Sequence, residues 1–310
     1  MKSKKFGWLK ANKLRKIIWS IVRTLIILGV SFVILRPVLT KISSSFMVER
    51  DLYDSTVHWI PKHFTWDNYK AMFEHMKYPK AFMNSLIFSL VVSGLQIASC
   101  TTVAYGFARF RFKGKKFLFS LVILTLLIPP QIIVLPLYLN FRFFTLWGLL
   151  PKPGINLLNS YWPFILTSIT ATGMKNGLFI YIMRQSFKGM PRALEEAAYV
   201  DGAGRFKTFA TVMLPGAIPS IVTIFLFAFV WQWNDYYFTS LYMGGKNLLS
   251  QTLDMAAHNY AHSLGAQFTS QYISLLNNAG MMLFITPLLI LYAVLQRYFI
   301  ESIERTGIVG

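Results

Sequence analysis

Long apolar runs separated by short polar stretches set the pattern of this chain. An α-helix rises 1.5 Å per residue, so about 20 mostly apolar residues cross the hydrocarbon core of a bilayer. Read this way, the sequence predicts an all-α integral membrane protein with six transmembrane helices, at about residues 18–43, 81–108, 117–139, 173–189, 215–242 and 276–299. The fourth is the weakest, because Gly173, Lys175 and Asn176 interrupt it. The apolar stretch Tyr161–Ile169 before it reads as a short helix at the outer surface or a partial re-entry, and a seven-span arrangement stays open. Pro129, Pro130 and Pro136 break the third span and Pro287 kinks the sixth, either as hinges or as ordinary kinks. The longest polar stretch is 44–80, so no separate soluble domain is expected.

Between the fourth and fifth spans lies a polar island, residues 190–214, that predicts helix, break, helix. Met190-Pro191 places a proline where a first helical turn accepts one, and Arg192 to Val200 are mostly good helix formers. Asp201-Gly202 can end that helix with a residue free to take positive φ. Arg205 to Met213 form a second short helix, stopped by Leu214-Pro215. An elbow on the face of the bilayer is a place for a partner to dock. Small residues (Ala193, Ala197, Ala198, Gly202, Ala203, Gly204) permit close approach of a backbone to a groove. Glu195, Glu196 and Asp201 offer charge to basic groups on a partner or on the loop itself. The plainer alternative is an amphipathic interfacial loop.

Composition agrees with a membrane protein: 55% of residues are hydrophobic and 14% charged, against roughly 25% charged in soluble domains. The net charge of +19 could point to nucleic acid, but the basic residues sit mainly at span ends and no nucleic-acid module is visible. Attraction to anionic lipid accounts for them better. The N-terminus (Lys2, Lys4, Lys5, Lys10, Lys13, Arg15, Lys16), the 109–116 loop (Arg109, Arg111, Lys113, Lys115, Lys116) and the 190–214 loop with its flanks (Arg184, Lys188, Arg192, Arg205, Lys207) fall on one side of six spans. That side is the cytoplasm, with both termini inside. The 44–80 loop opposes this with basic residues of its own, tempered by acids and by its length. The expected organisation is a basic cytoplasmic N-terminus at 1–17, a transmembrane domain at 18–299 enclosing the cytoplasmic loop 190–214, and a cytoplasmic tail at 300–310. The first span is too long and too late for a simple signal peptide and reads as uncleaved.

The single cysteine, Cys100, excludes a disulfide scaffold. His58, His63, His75, His258 and His262 show no metal-ligand spacing, and the i, i+4 pair His258/His262 is a weak hint only. No nucleophile–base pair or metal set is visible, so the chain is expected to catalyse nothing and to bind no cofactor. A second cluster, Trp231-Gln232-Trp233-Asn234-Asp235-Tyr236-Tyr237, sets a lone carboxylate among aromatic rings. Ring faces beside amide and carboxylate acceptors suit a sugar, whose C–H faces stack while its hydroxyls hydrogen-bond. The same residues also suit an aromatic belt at the interface, or a brace between helices. Met174, Asn176 and Tyr181, with Asn277 and Asn278, could line a path, although Asn within a span more often joins helices. No GxxxxGK[ST] phosphate loop occurs, so if ATP powers this chain another subunit must bind it.

Glu195-Glu196-Ala197-Ala198 with Asp201-Gly202-Ala203 and Leu214-Pro215 resembles the EAA loop of bacterial ABC importer permeases. Arg184-Gln185-Ser186-Phe187 and Trp233-Asn234-Asp235 are similar to the maltose-type carbohydrate permeases, and the likeness runs over most of residues 20–310. The resemblance implies a multi-pass subunit of the bacterial cytoplasmic (inner) membrane that forms half of a sugar path by alternating access. Its partners would be a homologous second permease, two ATPase subunits that use ATP and Mg, and an extracellular or periplasmic solute-binding protein. Of the EAA loop, Glu195, Glu196, Ala197, Ala198, Asp201, Gly202, Ala203, Gly204 and Arg205 would dock into the ATPase. Trp231, Trp233, Asn234, Asp235, Tyr236 and Asn176 would line the substrate path. The tail Glu301–Gly310 would reach the ATPase, or simply fray. A permease for another solute, and a stand-alone secondary transporter, are the rival readings; the second calls for a buried carboxylate relay or inverted repeats, and neither is seen.

Overall fold

The computed structural model describes residues 2–307 apart from His58, Trp147 and Met174, with side chains described over 15–297. Among these residues it is all helical. α1 (Lys2–Ser45) leads through a 3₁₀ turn (Glu49–Leu52) to α2 (Asp67–His75) and α3 (Tyr78–Arg109). Next come α4 (Lys115–Leu127), α5 (Pro130–Arg142), α6 (Trp162–Ile169), α7 (Asn176–Gly189) and α8 (Ala193–Val200). α9 (Arg205–Thr208), a π turn (Phe209–Met213), α10 (Leu214–Gly216), α11 (Ile218–Trp233), α12 (Tyr237–Met243), α13 (Leu249–Ser263) and α14 (Ser270–Gly307) complete the chain.

Among the described residues, three helices are long and apolar enough to cross a membrane alone, within α1, α3 and α14. They contain the first, second and sixth expected spans. Two bent pairs raise the number to five if each pair is one span. The expected third span is one of them: α4 and α5 meet at 105°. Ile128 and Pro129 are both extended, because each precedes a proline whose ring disfavours helical backbone there. The fifth is the other, with a 76° bend between Arg205–Gly216 and Ile218–Trp233. Its apolar helix stops at Trp233, with Asn234 as its C-cap, rather than running to 242, and a separate helix, α12, begins at Tyr237. The fourth expected span is α7, only 14 residues long and so about 21 Å, with α6 standing before it as the short helix that the sequence suggests.

The chain forms two compact units. The first takes Met1–Phe73 and Ala257–Leu283. Here Asn278 joins α14 to α1, accepting from Lys41 Nζ at 3.1 Å and donating to Ser44 Oγ at 2.8 Å. Buried Asn68 donates to the carbonyls of Ser45 and Met47, fixing the chain after α1. Phe46 stacks on Phe64 and meets Trp66 edge-on. Buried Asp51 accepts from the His63 backbone N–H at 2.9 Å and lies 2.7 Å from His63 Nδ1. Burial alone would raise the Asp51 carboxyl, but these hydrogen bonds outweigh it and hold the group below the ordinary carboxylate value.

The second unit takes Glu74–Ala256 and Phe284–Gly310, and α3 is its axis. Ala81, Ser85, Ser89 and Ser93, four apart along one face, are buried and let neighbouring helices come close, the small-residue logic of membrane packing. Further along, Cys100, Ala104 and Tyr105 join Phe179, Ile180, Met183 and Phe187 of α7 and Ile224 and Ala228 of α11 in one core. A second core gathers Phe88, Val92, Phe141, Tyr242, Met243 and Leu248.

Candidate functional site

The polar island folds into the elbow. Pro191 and Arg192 open α8 with turns to the N–H groups of Leu194, Glu195 and Glu196. At its other end Gly202 takes φ +78°, and the N–H groups of Gly202 and Ala203 donate to the carbonyls of Tyr199 (3.1 Å) and Ala198 (2.9 Å). This is the Schellman cap, which satisfies carbonyls the helix end leaves open. Gly204 then caps α9. Leu214-Pro215 does not stop the second helix as expected. The helix widens into a π turn at Phe209–Met213 and runs on through Pro215 to Gly216. Pro215 falls in the first turn of α10, where its missing N–H costs least.

The two glutamates differ. Glu196 is exposed, as are Ala197, Asp201, Gly202, Gly204 and Arg205; Ala203 is half-buried and Ala198 buried. Glu195 turns inward. Tyr105 Oη donates to its Oε1 at 2.8 Å, and Arg109 Nε lies 3.2 Å from its Oε2, an ion pair without an aligned hydrogen bond. Arg109 also donates to the Met190 carbonyl at 2.8 Å. The carboxylate of Glu195 is therefore committed within the chain. The outward face instead carries Leu194, Tyr199, Val200 (87% exposed) and Phe206 (82% exposed). Sequence reasoning passed over these apolar side chains; their signal is their position inside an otherwise polar loop.

The aromatic cluster divides as well. A cavity of about 470 Å³ is lined by Trp231, Gln232 and Asp235 together with Gln96, Asn140 and Lys175. Lys175 Nζ sits 4.9 Å over the Trp231 ring, which also stacks on Phe179. Asp235 Oδ1 accepts from the Phe238 N–H at 3.1 Å, so the carboxylate bonds the first turn of α12 while lining the cavity. Trp233 lies elsewhere: it is 2% exposed, packs on Phe229 and Phe82, and donates from Nε1 to the Phe284 carbonyl of α14. Asn234 bonds back to Val230 O, and Tyr236 donates to Asp254. Asn176 is fully buried and donates to Thr167 O at 3.3 Å, joining α7 to α6. Of the six residues expected on the path, the structure brings Trp231 and Asp235 together at one cavity and sets the others in packing or surface contacts. Met174 lies outside the described residues. Tyr181 packs against Phe119 of α4. Asn277 and Asn278 belong to α14, where Asn278 holds α1.

Residues 100–303 match the family described as the binding-protein-dependent transport system inner membrane component. An arabinooligosaccharide transport system permease protein of Halalkalibacterium halodurans is 29% identical, covering 91% of this chain and 93% of its own length. A permease protein for uptake of osmoprotective compounds from Synechocystis is 30% identical, over 89% and 88%. Among solved structures, a bacterial ABC transporter involved in import of the acidic polysaccharide alginate aligns with a TM-score of 0.71 at 19% identity, covering 91% of this chain and 96% of that one; this likeness shows the fold. The chain therefore belongs to the binding-protein-dependent transport system inner membrane components: it is a multi-pass permease subunit of an ABC importer, and its role is transport rather than catalysis.

Proposed function

We propose that this permease carries carbohydrate, an oligosaccharide or sugar derivative, and forms half of the path with a homologous, non-identical second permease. Six spans place both termini in the cytoplasm of a bacterial cell, with α7 and the bent pairs completing the count within the assembled complex. Two ATPase subunits supply ATP and Mg chemistry, and an extracellular or periplasmic solute-binding protein delivers the sugar. The chain itself holds no cofactor and no metal, and meets lipid rather than nucleic acid.

The observation that carries the sugar reading is the cavity where the Trp231 face meets Gln96, Asn140, Gln232 and Asp235. An apolar ring with a few convergent hydrogen-bonding groups is the usual makeup of a small-molecule site. Arabinooligosaccharide and galactooligosaccharide permeases among the relatives point the same way. The elbow supports the ATPase partner, since Val200 and Phe206 present apolar surface flanked by Glu196 and Arg205. ATP would drive alternating access by binding one state better than the other; reversing a 1:99 balance needs ~5.5 kcal/mol of such preference. A non-sugar solute is the second reading.

The test is ATP-dependent uptake in vesicles holding the complete transporter, with labelled oligosaccharides set against amino acids, phosphate and polyamines. Sugar uptake lowered several-fold by Trp231→Ala, with the complex still assembled, is the expected result. Uptake of a non-sugar solute only, or uptake without any ATPase subunit, would overturn the reading.

A further inference from the structure

The elbow is held to α3 by a buried polar cluster. At the end of α3, Tyr105 Oη donates to Glu195 Oε1 at 2.8 Å and Arg109 Nε stands 3.2 Å from Oε2. The Arg109 and Glu195 side chains are 8% and 10% exposed, so both charges are nearly out of water. Arg109 grips the chain again just before α8, at the Met190 carbonyl. The Tyr105 ring fills the space between, packing on Phe187 at the end of α7 and on Phe209 in the π turn. Thus α3 is tied to both arms of the elbow, to α8 by polar contacts that a shift of more than about 1 Å would break, given the steep distance limits on hydrogen bonds, and to the π turn by ring packing.

The same helix reaches the cavity. Gln96, thirteen residues or about 20 Å up α3 from Arg109, lines it, and Ser99 Oγ donates at 2.5 Å to the carbonyl of Ser168, another lining residue. We infer that Tyr105, Arg109 and Glu195 form the transmission brace of this permease: positioning residues that make α3 follow the elbow, so that force applied at α8 reaches the cavity wall. This rests on the proposed ATP-driven import. It separates the roles of neighbouring glutamates, Glu195 holding the elbow to α3 and Glu196 facing outward.

A brace and a mere fold support differ in what their loss uncouples. The measurement is solute transported per ATP hydrolysed by the complete transporter in liposomes, beside recovery of the ATPase on the purified permease. Arg109→Gln and Tyr105→Phe are expected to assemble with the ATPase and hydrolyse ATP, yet to lower the transport ratio about fivefold or more, the size of an ordinary coupling energy. Glu195→Gln should lower it likewise. The double variant Arg109→Gln/Glu195→Gln should be no worse than the poorer single, and the exchanged pair Arg109→Glu/Glu195→Arg should recover part of the loss. Wild-type ratios in the single variants, or losses that multiply in the double variant, would overturn the brace. If the charge variants fail to assemble, Tyr105→Phe decides, since it removes one hydroxyl and keeps the ring: a normal ratio overturns the inference and a lowered one upholds it. A wild-type complex without ATP-dependent uptake would instead overturn the importer reading.

Discussion

At the scale of single residues, backbone conformation and burial separate positions that composition treats alike. Gly202 sits at φ +78° with nothing within 4 Å of where a Cβ would stand. The cost of a side chain there is conformational rather than steric, roughly 1 kcal/mol for an ordinary residue and less for Asn, which tolerates left-handed backbone. Gly202→Asn should therefore keep the ATPase on the purified permease, while Gly202→Val should lower the apparent Tm and the recovery of ATPase. Equal recovery for both would show that the turn is not the docking elbow. Asp51 gives a pH-dependent counterpart. Its carboxyl is held below the ordinary value by His63, so the unfolded chain binds the extra proton first as pH falls. The stability it contributes is fully present above about pH 4, the usual Asp range, and is lost as pH drops through the lower folded value. The Tm gap between wild type and Asp51→Asn should hold from pH 7 to about 5 and close below about 4. A gap that does not change with pH would show that the pair does not act through the charge of Asp51.

Among whole elements, what the sequence announces and what it conceals follow from the range of the signal. The elbow was legible because each of its parts is local: Pro191 opens it, Gly202 closes α8, and small residues line it. Pro129-Pro130 equally announces a break, but the 105° between α4 and α5 is set by what those helices pack against, which no local signal encodes. The inward turn of Glu195 needs Arg109 and Tyr105, some ninety residues away in sequence, and Trp233 is a brace only because Phe284 lies beside it. Leu214-Pro215 misled because proline stops a regular α-helix, whereas the π turn before it had already shifted the hydrogen-bond register. Helix contacts of this kind also make a prediction. On α7, a Cβ at Gly177 would run into Thr125 Oγ1 and come within 3.0 Å of the Val122 carbonyl, both on α4. Backbone on one side and a rigid helix on the other leave little room to give. Gly177→Ala should cost about 1–3 kcal/mol through overpacking, seen as a lowered Tm in detergent. By contrast Gly94→Ala, with open space at its Cβ, should be neutral or slightly stabilising. Comparable Tm values for the two would mean that α4 and α7 do not meet this closely.

At the scale of the molecule, length and hydropathy count three spans in isolation among the described residues, and five when bent pairs are joined. The sixth of the proposed topology rests on α7, whose 14 residues are too few to cross about 30 Å of hydrocarbon alone. Yet α7 carries Phe179, Ile180, Met183 and Phe187 fully into the core around α3, so it does not meet lipid on that face and need not be apolar all round. A helix sheltered by its neighbours is invisible to a hydropathy window, which explains why this span was the weakest in the sequence. Orientation then gives a decisive measurement. Cys100 is buried and is the chain's single cysteine, so Cys100→Ala supplies a background for placing new ones. Cysteines at Ser55 and Gln267 should react with a membrane-impermeant maleimide added outside intact cells. Cysteines at Gly114 and Gly204 should react only after the membrane is opened. Because Gly114 lies between α3 and α4 and Gly204 between α8 and α9, their shared protection requires an even number of crossings from α4 to α7. Outside labelling of Gly204 with Gly114 protected would make that number odd, remove either α7 or the bent α4–α5 pair from the spans, and place the elbow on the face where no ATPase could reach it.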